Sequence, residues 1–174
     1  MSAANWIRES LTKAKIPFEE VYHSTANSAQ SLAHLEHLSG HHVAKVVVVI
    51  ADKQPYVLVL PASRKLMMYK VRRALRATDV RLATEEEMAS FCSDCQVGAA
   101  PPLQHWNKVP VLMDVRMKVA GNILFSGGTH SDGILMQFDD WFNYVKPATA
   151  DFSVSENAYY PLQFYKDEDK RHAS

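Results

Sequence analysis

Hydrophobic residues in the first third of the chain form two short, dense runs. The stretch HHVAKVVVVIADKQPYVLVLPAS, residues 41–63, places polar, turn-forming residues between them. Continuous apolar runs of this length, bounded by turn formers, are typical of buried strands. The pattern therefore predicts strands over 44–51 and 55–61, joined by a tight turn. Lys45 stands at the start of the first strand, where a lysine is costly unless its ammonium group reaches water or a partner.

Other segments carry apolar residues at the three- and four-residue spacing of an amphipathic helix. These segments are residues 2–15, 28–38, 64–75, 84–92 and 139–146. Ser28 is a predicted N-cap and Gly40 a predicted stop for the second of them. Thr84 and Glu87 have the spacing of a capping box, and Asp139 is the predicted cap of the last helix.

The remaining apolar runs are short and predict further strands. They cover residues 18–23, 80–83, 109–115, 122–128 and 133–138. Strands in adjacent groups, with helices before and between them, predict a mixed α/β domain with a largely antiparallel sheet, not a regular βαβ repeat. From Pro147 the pattern fades, and the charged end, residues 166–174, is expected to be a solvated tail.

Composition narrows the class of protein. The chain has 174 residues with 47% hydrophobic and 22% charged residues, as expected for one globular domain with a sizeable core. Its formal net charge is zero, so any contact with nucleic acid must come from a local basic face. We expect a cytoplasmic protein without a membrane span, because residues 1–20 are charged throughout and two cysteines make no disulfide framework.

Three places carry candidate chemistry, each with a structural alternative. Lys45 either extends to solvent at the strand end or supplies a fixed cation for a phosphate or carboxylate. The loop VGAAPPL, residues 97–103, is either a tight connector or a source of backbone amides for an oxyanion. The segment FSGGTHSDG, residues 125–133, suits a hairpin loop, yet a turn does not need His130. That histidine could transfer a proton or bind substrate, with Asp132 orienting it.

Other polar groups give weaker signals. Cys92 and Cys95, in CSDC, could form a redox pair or half a zinc site, but two incidental thiols are favoured because no second ligand pair follows. Four histidines are clustered: His34, His37, His41 and His42. His34 and His37 share a helix face, but no further residue is spaced to complete a metal site with them. Six basic residues form either a solvated helix face or a polyanion patch: Arg64, Lys65, Lys70, Arg72, Arg73 and Arg76.

The order of these pieces resembles one family. It runs from the strand with Lys45 through PYVLVLPAS, a basic helix, an acidic-start helix and VGAAPPL to LFSGGTHSDGILM. This order is similar to the YbaK/ProX family of aminoacyl-tRNA deacylases, also found as the editing insert of bacterial prolyl-tRNA synthetases. The resemblance covers residues 5–146. It implies a compact single domain over residues 1–147, built on a mixed, mostly antiparallel sheet or barrel, and a partly frayed C-terminal extension over residues 148–174.

The resemblance also implies a set of site residues. The strand lysine of the family maps onto Lys45, which would hold the terminal adenosine or its phosphate. Its glycine-containing loop would polarise the ester carbonyl through backbone amides, and it maps onto Gly98, Ala99 and Ala100, followed by Pro102. Its second loop would line the amino-acid pocket, and it maps onto Gly127, Gly128, Thr129, His130 and Asp132. Many members have a serine where this chain has Pro101, so the specificity of the family does not carry over.

The activity implied is hydrolysis of the ester that joins a wrong, small amino acid to tRNA. Alanine and thiol or hydroxyl relatives are the candidate amino acids, and the proline tRNA is a candidate carrier. A positioned water suffices for such an ester, so no metal or cofactor is expected. The partners would be the 3′ end of aminoacyl-tRNA and a synthetase. Two alternatives are a noncatalytic tRNA- or ligand-binding module of the same fold and a redox or metal protein built on CSDC.

Overall fold

The structure is a computed structural model that describes residues 4–103 and 109–158. Its helices within these ranges are α1 Asn5–Lys13, α2 Ala29–Leu35, α3 Met68–Leu75, α4 Glu85–Phe91 and α5 Phe138–Val145. Its strands there are β1 Glu19–Tyr22, β2 Ala44–Ala51, β3 Gln54–Pro61, β4 Arg64–Leu66, β5 Val80–Leu82, β6 Val111–Asp114, β7 Asn122–Ser126, β8 Asp132–Gln137, β9 Ala148–Ala150 and β10 Ser153–Ser155. None of the described helices is long and apolar enough to cross a membrane.

A long hairpin forms the centre of the main sheet. Strands β2 and β3 pair antiparallel over their whole length. Asp52 and Lys53 turn the chain with φ angles of 46° and 70°, the left-handed conformation that matches the twist of two-residue hairpins. The two strands and the tight turn predicted for this stretch are confirmed.

The strands join into three sheets. The order is β5-β2-β3-β6-β9 in the largest sheet, β1-β8-β7 in the second and β10-β4 in the third. Strand β6 pairs parallel to both β3 and β9, while the other pairings between the named strands are antiparallel. The predicted mixed, mostly antiparallel α/β fold is therefore confirmed.

Alternating side chains of β2 face two separate hydrophobic clusters. Ala44 and Val48 pack on one face, in a cluster that also holds Trp141 of α5. Val49 and Ala51 pack on the other face, in a second cluster with residues of α3. The sheet is buried on both sides because successive residues of a strand point to opposite faces.

Helices α3 and α5 begin differently from the sequence expectation. The helix expected over residues 64–75 begins only at Met68, because residues 64–66 pair with β10 instead. The last helix has Gln137 at its N-cap, and Asp139 lies in its first turn. In the first case, pairing with a strand far along the chain competes with the helical pattern. Local periodicity does not reveal such a partner.

The second helix begins as expected and ends early. Ser28 caps it, since its side chain accepts a hydrogen bond from the Ser31 amide. The helix ends at Leu35, and Gly40 begins a short 3-10 turn instead of serving as the stop. The chain leaves the helix at His37, whose φ of 53° breaks the helical run.

The segment after Pro147 is ordered well beyond the point where the sequence pattern fades. Strand β9 extends the main sheet beside β6, and β10 pairs with β4. Phe152 lies between them with no exposed surface, and its amide donates to Asp114 Oδ2 at 2.9 Å. Residues 148–155 therefore pack on the domain. The predicted tail over residues 166–174 lies outside the described residues, and the domain boundary at residue 147 stays a prediction.

Candidate active site

Two loops meet beside α4. One follows that helix at residues 96–100, and the other joins β7 to β8. The Gln96 amide donates to Gly128 O at 2.8 Å, and the Gly128 amide donates to Ala99 O at 3.1 Å. These reciprocal bonds hold together the two loops that the sequence singled out.

His130 lies across the junction of the loops. Its amide donates to Gln96 Oε1 at 2.7 Å, and its carbonyl accepts from the Ala26 amide at 2.7 Å. Its ring Nδ1 lies 3.2 Å from Ala26 O. A carbonyl only accepts, so Nδ1 carries the hydrogen in this pair, and in the neutral ring Nε2 is left as an acceptor.

The imidazole also lies next to Gly98. A Cβ added to that glycine would be 3.7 Å from His130 Cε1. Gly98 has a φ of 84°, in the left-handed region that favours glycine. The exposed Gly98 backbone is therefore directly beside the histidine ring.

The loop amides are not equivalent. Ala99 N donates to Gln96 O at 2.9 Å and is thereby committed. Within residues 4–103 and 109–158, the amides of Gly98 and Ala100 have no hydrogen-bond acceptor. Ala100 is buried and Gly98 exposed, so the Gly98 amide is the one that a ligand reaches most directly.

Asp132 organises the second loop from inside. It is 1% exposed, and Thr129 Oγ1 donates to its Oδ2. The Gly127 amide donates to its backbone carbonyl at 2.7 Å. Its other carboxylate oxygen, Oδ1, is buried and meets no donor in the described part of the chain. The sequence suggested that Asp132 orients His130, but the structure pairs it with Thr129 and pairs the histidine ring with Ala26.

Pro102 anchors the far end of the first loop. Its carbonyl accepts from Trp141 Nε1 at 2.9 Å, in a buried contact with α5. The indole N–H needs such a partner because Trp141 has no exposed surface. Pro102 is thus buried as a support of the loop.

Lys45 lies apart from these contacts. Its ammonium donates to Arg64 O, and the residue is half-buried. Burial lowers the pKa of Lys45, and the nearby carboxylate of Glu156 opposes that shift. By strand alternation Lys45 projects from the face opposite Ala44, which packs in the same cluster as Ala100. The structure brings the two loops together and leaves the Lys45 ammonium bonded to β4.

The basic residues from the sequence divide into two groups. Lys70 pairs with Asp151 at 2.9 Å, and Arg64 Nε donates to Ser153 Oγ at 2.7 Å. These contacts bind the C-terminal segment to the domain. Arg73 on α3 and Arg76 directly after its end are exposed, so a basic surface there is smaller than the sequence suggested.

The two cysteines lie at the edge of the same site. Cys92 is buried and Cys95 half-buried. A Cβ added to Gly128 would be 3.5 Å from Cys95 Sγ. The pKa of the Cys95 thiol is raised, mainly by a hydrogen bond with Cys92 and to a lesser extent by burial. The clustered histidines join no metal-binding group within the residues that the structure describes.

Sequence reasoning missed two residues of this region. Gln96 supports both His130 and Gly128, but its role depends on a contact across 34 residues. His23 lies beside the second loop, where its amide donates to Ser131 O at 3.0 Å. Its ring Nδ1 donates to Ser24 O at 2.7 Å, while Nε2 is buried without a partner in the described ranges. In the sequence, the only signal for His23 is that a single histidine stands at the end of a short predicted strand.

Comparison with known proteins identifies the fold and the family. The profile of the aminoacyl-tRNA editing domain matches residues 23–143. The chain belongs to this family. The described structure matches that of the hypothetical protein APE2540 with a TM-score of 0.77 and 17% identity, over 85% of this chain and 99% of that one. It also matches "a putative trans-editing enzyme for prolyl tRNA synthetase" with a TM-score of 0.74 and 19% identity, over 86% of this chain and 95% of that one.

One curated relative is a much longer protein. Proline–tRNA ligase of Coprothermobacter proteolyticus is 30% identical over 100 residues, which cover 58% of this chain. The matched region is 17% of the length of that ligase. The expected relation to the editing domain of prolyl-tRNA synthetases is therefore confirmed at the level of the family.

Proposed function

We propose that this protein hydrolyses the ester bond between a wrongly attached amino acid and its tRNA, acting in trans. Membership of the editing family supports the reaction class. The observation that carries the proposal is the junction of the two loops, where the exposed Gly98 backbone lies beside the His130 ring. A hydrogen-bond donor and an acceptor next to each other are what ester hydrolysis requires.

The proposed reaction uses the Gly98 amide for the developing oxyanion. The ester carbonyl would lie against Gly98 N, with Ala100 N close behind in the same loop. Removing one oxyanion donor typically costs about 3 kcal/mol of barrier. An aminoacyl ester is an activated substrate, so a well-placed water molecule suffices as the nucleophile.

His130 is the proposed acceptor on the other side of the ester. Its Nδ1 is committed to Ala26 O, so Nε2 is the nitrogen that can accept a proton from water or a hydrogen bond from the amino acid. Thr129 and Asp132 hold the loop that carries it. Gly128 lets the two loops approach closely, the Gly127 amide bonds Asp132 within the second loop, and Pro102 fixes the first loop.

Lys45 is proposed to bind the acceptor end of the tRNA. Its ammonium now donates to Arg64 O, and a phosphate or ribose oxygen would be a second acceptor for it. The small side chains of the loop, at Ala99 and Ala100, let its backbone come close to a ligand. Alanine, or a thiol or hydroxyl relative, on the proline tRNA is the proposed substrate, and a cytoplasmic location beside a synthetase belongs to the same proposal.

The test is deacylation of alanyl- and cysteinyl-tRNA(Pro) by the wild type and two variants. We expect Lys45→Ala and His130→Ala each to lower the rate at least tenfold, about 1.4 kcal/mol of barrier. Lys13→Ala is the matched control, because Lys13 is an exposed lysine in the last turn of α1. Full activity in the Lys45 variant would remove that residue from the site, and full activity in both variants would remove the proposed site altogether.

A further inference from the structure

Three ligating side chains converge where α4 ends. The sulfur atoms of Cys92 and Cys95 and a carboxylate oxygen of Asp94 lie within 4.8 Å of one another. Asp94 Oδ1 is 3.8 Å from Cys92 Sγ and 3.9 Å from Cys95 Sγ. The Cys95 amide donates to Cys92 O at 3.1 Å, and this turn brings both sulfur atoms to the same side.

The two sulfur-to-oxygen separations are close to those of a tetrahedral zinc site. Zinc binds thiolate sulfur at about 2.3 Å and carboxylate oxygen at about 2.0 Å. A tetrahedral arrangement then places sulfur and oxygen ligands about 3.5 Å apart. The observed distances exceed this by only a few tenths of an ångström, which small side-chain rotations can supply at the half-buried Cys95 and the exposed Asp94.

A place for a fourth ligand lies beside the sulfur atoms. A small cavity of about 10 Å³ is lined by Cys92 and Cys95 together with Met88 and Gln96. This space is close to the minimum that a single water molecule needs. Three protein ligands and one water make a complete zinc shell, and thiolate ligands select zinc over magnesium or calcium.

We propose that Cys92, Asp94 and Cys95 bind one Zn²⁺ ion, with water as the fourth ligand. The ion would fix the turn that leads directly into the loop of Gln96 and Gly98. It would thereby hold the first loop of the site against Gly128, next to which Cys95 lies. The sequence favoured two incidental thiols because it lacks a second ligand pair, but Asp94 supplies a third ligand from within the same turn.

The test is zinc binding by the whole chain, kept reduced and first stripped of metal with a chelator. Titration of Zn²⁺ against a colorimetric chelator should show one ion per chain. Cys95→Ser should weaken binding at least 100-fold, and Asp94→Asn at least tenfold. Ser93→Ala is the matched control, because Ser93 lies exposed in the same turn, and it should bind like the wild type.

Cobalt binding gives a second measurement, which distinguishes loss of a metal ligand from loss of the folded structure. Co²⁺ bound by the wild type should show a sulfur-to-cobalt charge-transfer band, which weakens in Cys95→Ser while the circular dichroism of the variant stays unchanged. Wild-type affinity no greater than that of the Cys92→Ser/Cys95→Ser double variant would overturn the proposal. Equal losses in Ser93→Ala and Cys95→Ser would overturn it as well. Neither readout uses tRNA, so the proposal and the proposed deacylase activity fail separately.

Discussion

Gly128 illustrates how single residues set the geometry of the site. Its φ is 97°, and an added Cβ would lie 3.1 Å from Ala4 Cβ and 3.5 Å from Cys95 Sγ. Gly121 has a similar φ of 87°, but nothing lies within 4 Å of the place where its Cβ would be. The two glycines therefore share the backbone requirement and differ in their surroundings.

The first prediction compares alanine at these two positions. We expect both Gly128→Ala and Gly121→Ala to lower the free energy of unfolding by about 1–2 kcal/mol, because each forces a side chain into the left-handed conformation. Only Gly128→Ala should also slow deacylation, since its methyl group displaces the loop. Urea unfolding and single-turnover deacylation measure the two effects. Equal activity in the two variants would contradict the close packing of the loops.

The second prediction concerns Gln96. Gln96→Ala removes the acceptor of the His130 amide and should lower kcat about tenfold, because the imidazole is no longer held over Gly98. Gln96→Glu keeps a side-chain oxygen in the same place and should recover most of the rate. Steady-state deacylation by both variants is the measurement. A glutamate variant as slow as the alanine variant would show that His130 does not depend on this acceptor.

At the level of single residues, the sequence indicates the two loops but not the residues that they contact. The glycines, His130 and Asp132 stand out because of their residue types in short segments. Gln96 and the Ala26 carbonyl do not, because their contacts with His130 span 34 and 104 residues. Likewise, nothing local indicates that the Lys45 ammonium would donate to Arg64 O.

Helix α4 shows how an element can be specified by its own sequence. Thr84 accepts a hydrogen bond from the Glu87 amide at 3.2 Å, and Glu87 accepts from the Thr84 amide at 2.8 Å. This capping box was predicted from spacing alone and is confirmed. Arg81 adds two bonds to the same carboxylate, at 2.7 and 2.8 Å.

The third prediction is a pH dependence at this helix. Arg81, and then the Thr84 amide, lower the pKa of Glu87 from 4.5 to about 2. A lowered carboxyl pKa stabilises the folded state above the ordinary pKa, and this contribution is lost as the pH falls toward the folded value. The wild type should therefore lose more stability than Glu87→Gln between about pH 6 and about pH 3, measured by urea unfolding. Parallel losses in the two proteins would contradict the prediction.

Elements whose boundaries depend on distant partners are predicted less well. The stretch 64–75 has a helical pattern throughout, but β10 captures its first three residues as a strand. Strands β9 and β10 are only three residues each, too short for a period-two pattern to appear. The central hairpin is predicted correctly from local sequence, because its apolar runs and its turn residues indicate the same structure.

The C-terminal segment, residues 148–155, completes the packing of the whole molecule. Phe152 fills the second hydrophobic cluster, and Asp151 bonds both Lys70 and Arg116, at 2.9 and 2.5 Å. Asp114 is fully buried and accepts from the Phe152 amide. This segment therefore belongs to the core of the described structure.

The fourth prediction tests that conclusion. Phe152→Ala should lower the free energy of unfolding by about 3–5 kcal/mol, the usual cost of emptying a buried aromatic position. Tyr144→Ala, at a side chain that is 37% exposed, should lower it by clearly less, about 1–2 kcal/mol. Chemical denaturation of both variants is the measurement. Similar stability in the two would show that the segment is dispensable for folding.

The proposed deacylase activity is best tested by multiple-turnover hydrolysis of a mischarged tRNA panel. The panel contains alanyl-, cysteinyl- and seryl-tRNA(Pro), with correctly charged prolyl-tRNA(Pro) as the reference. Binding to an amide-linked analogue that cannot be hydrolysed is measured alongside. We predict repeated turnover of at least one mischarged member, at a rate well above that of the reference. Tight binding of the analogue without hydrolysis of any member would contradict it and would identify a binding module.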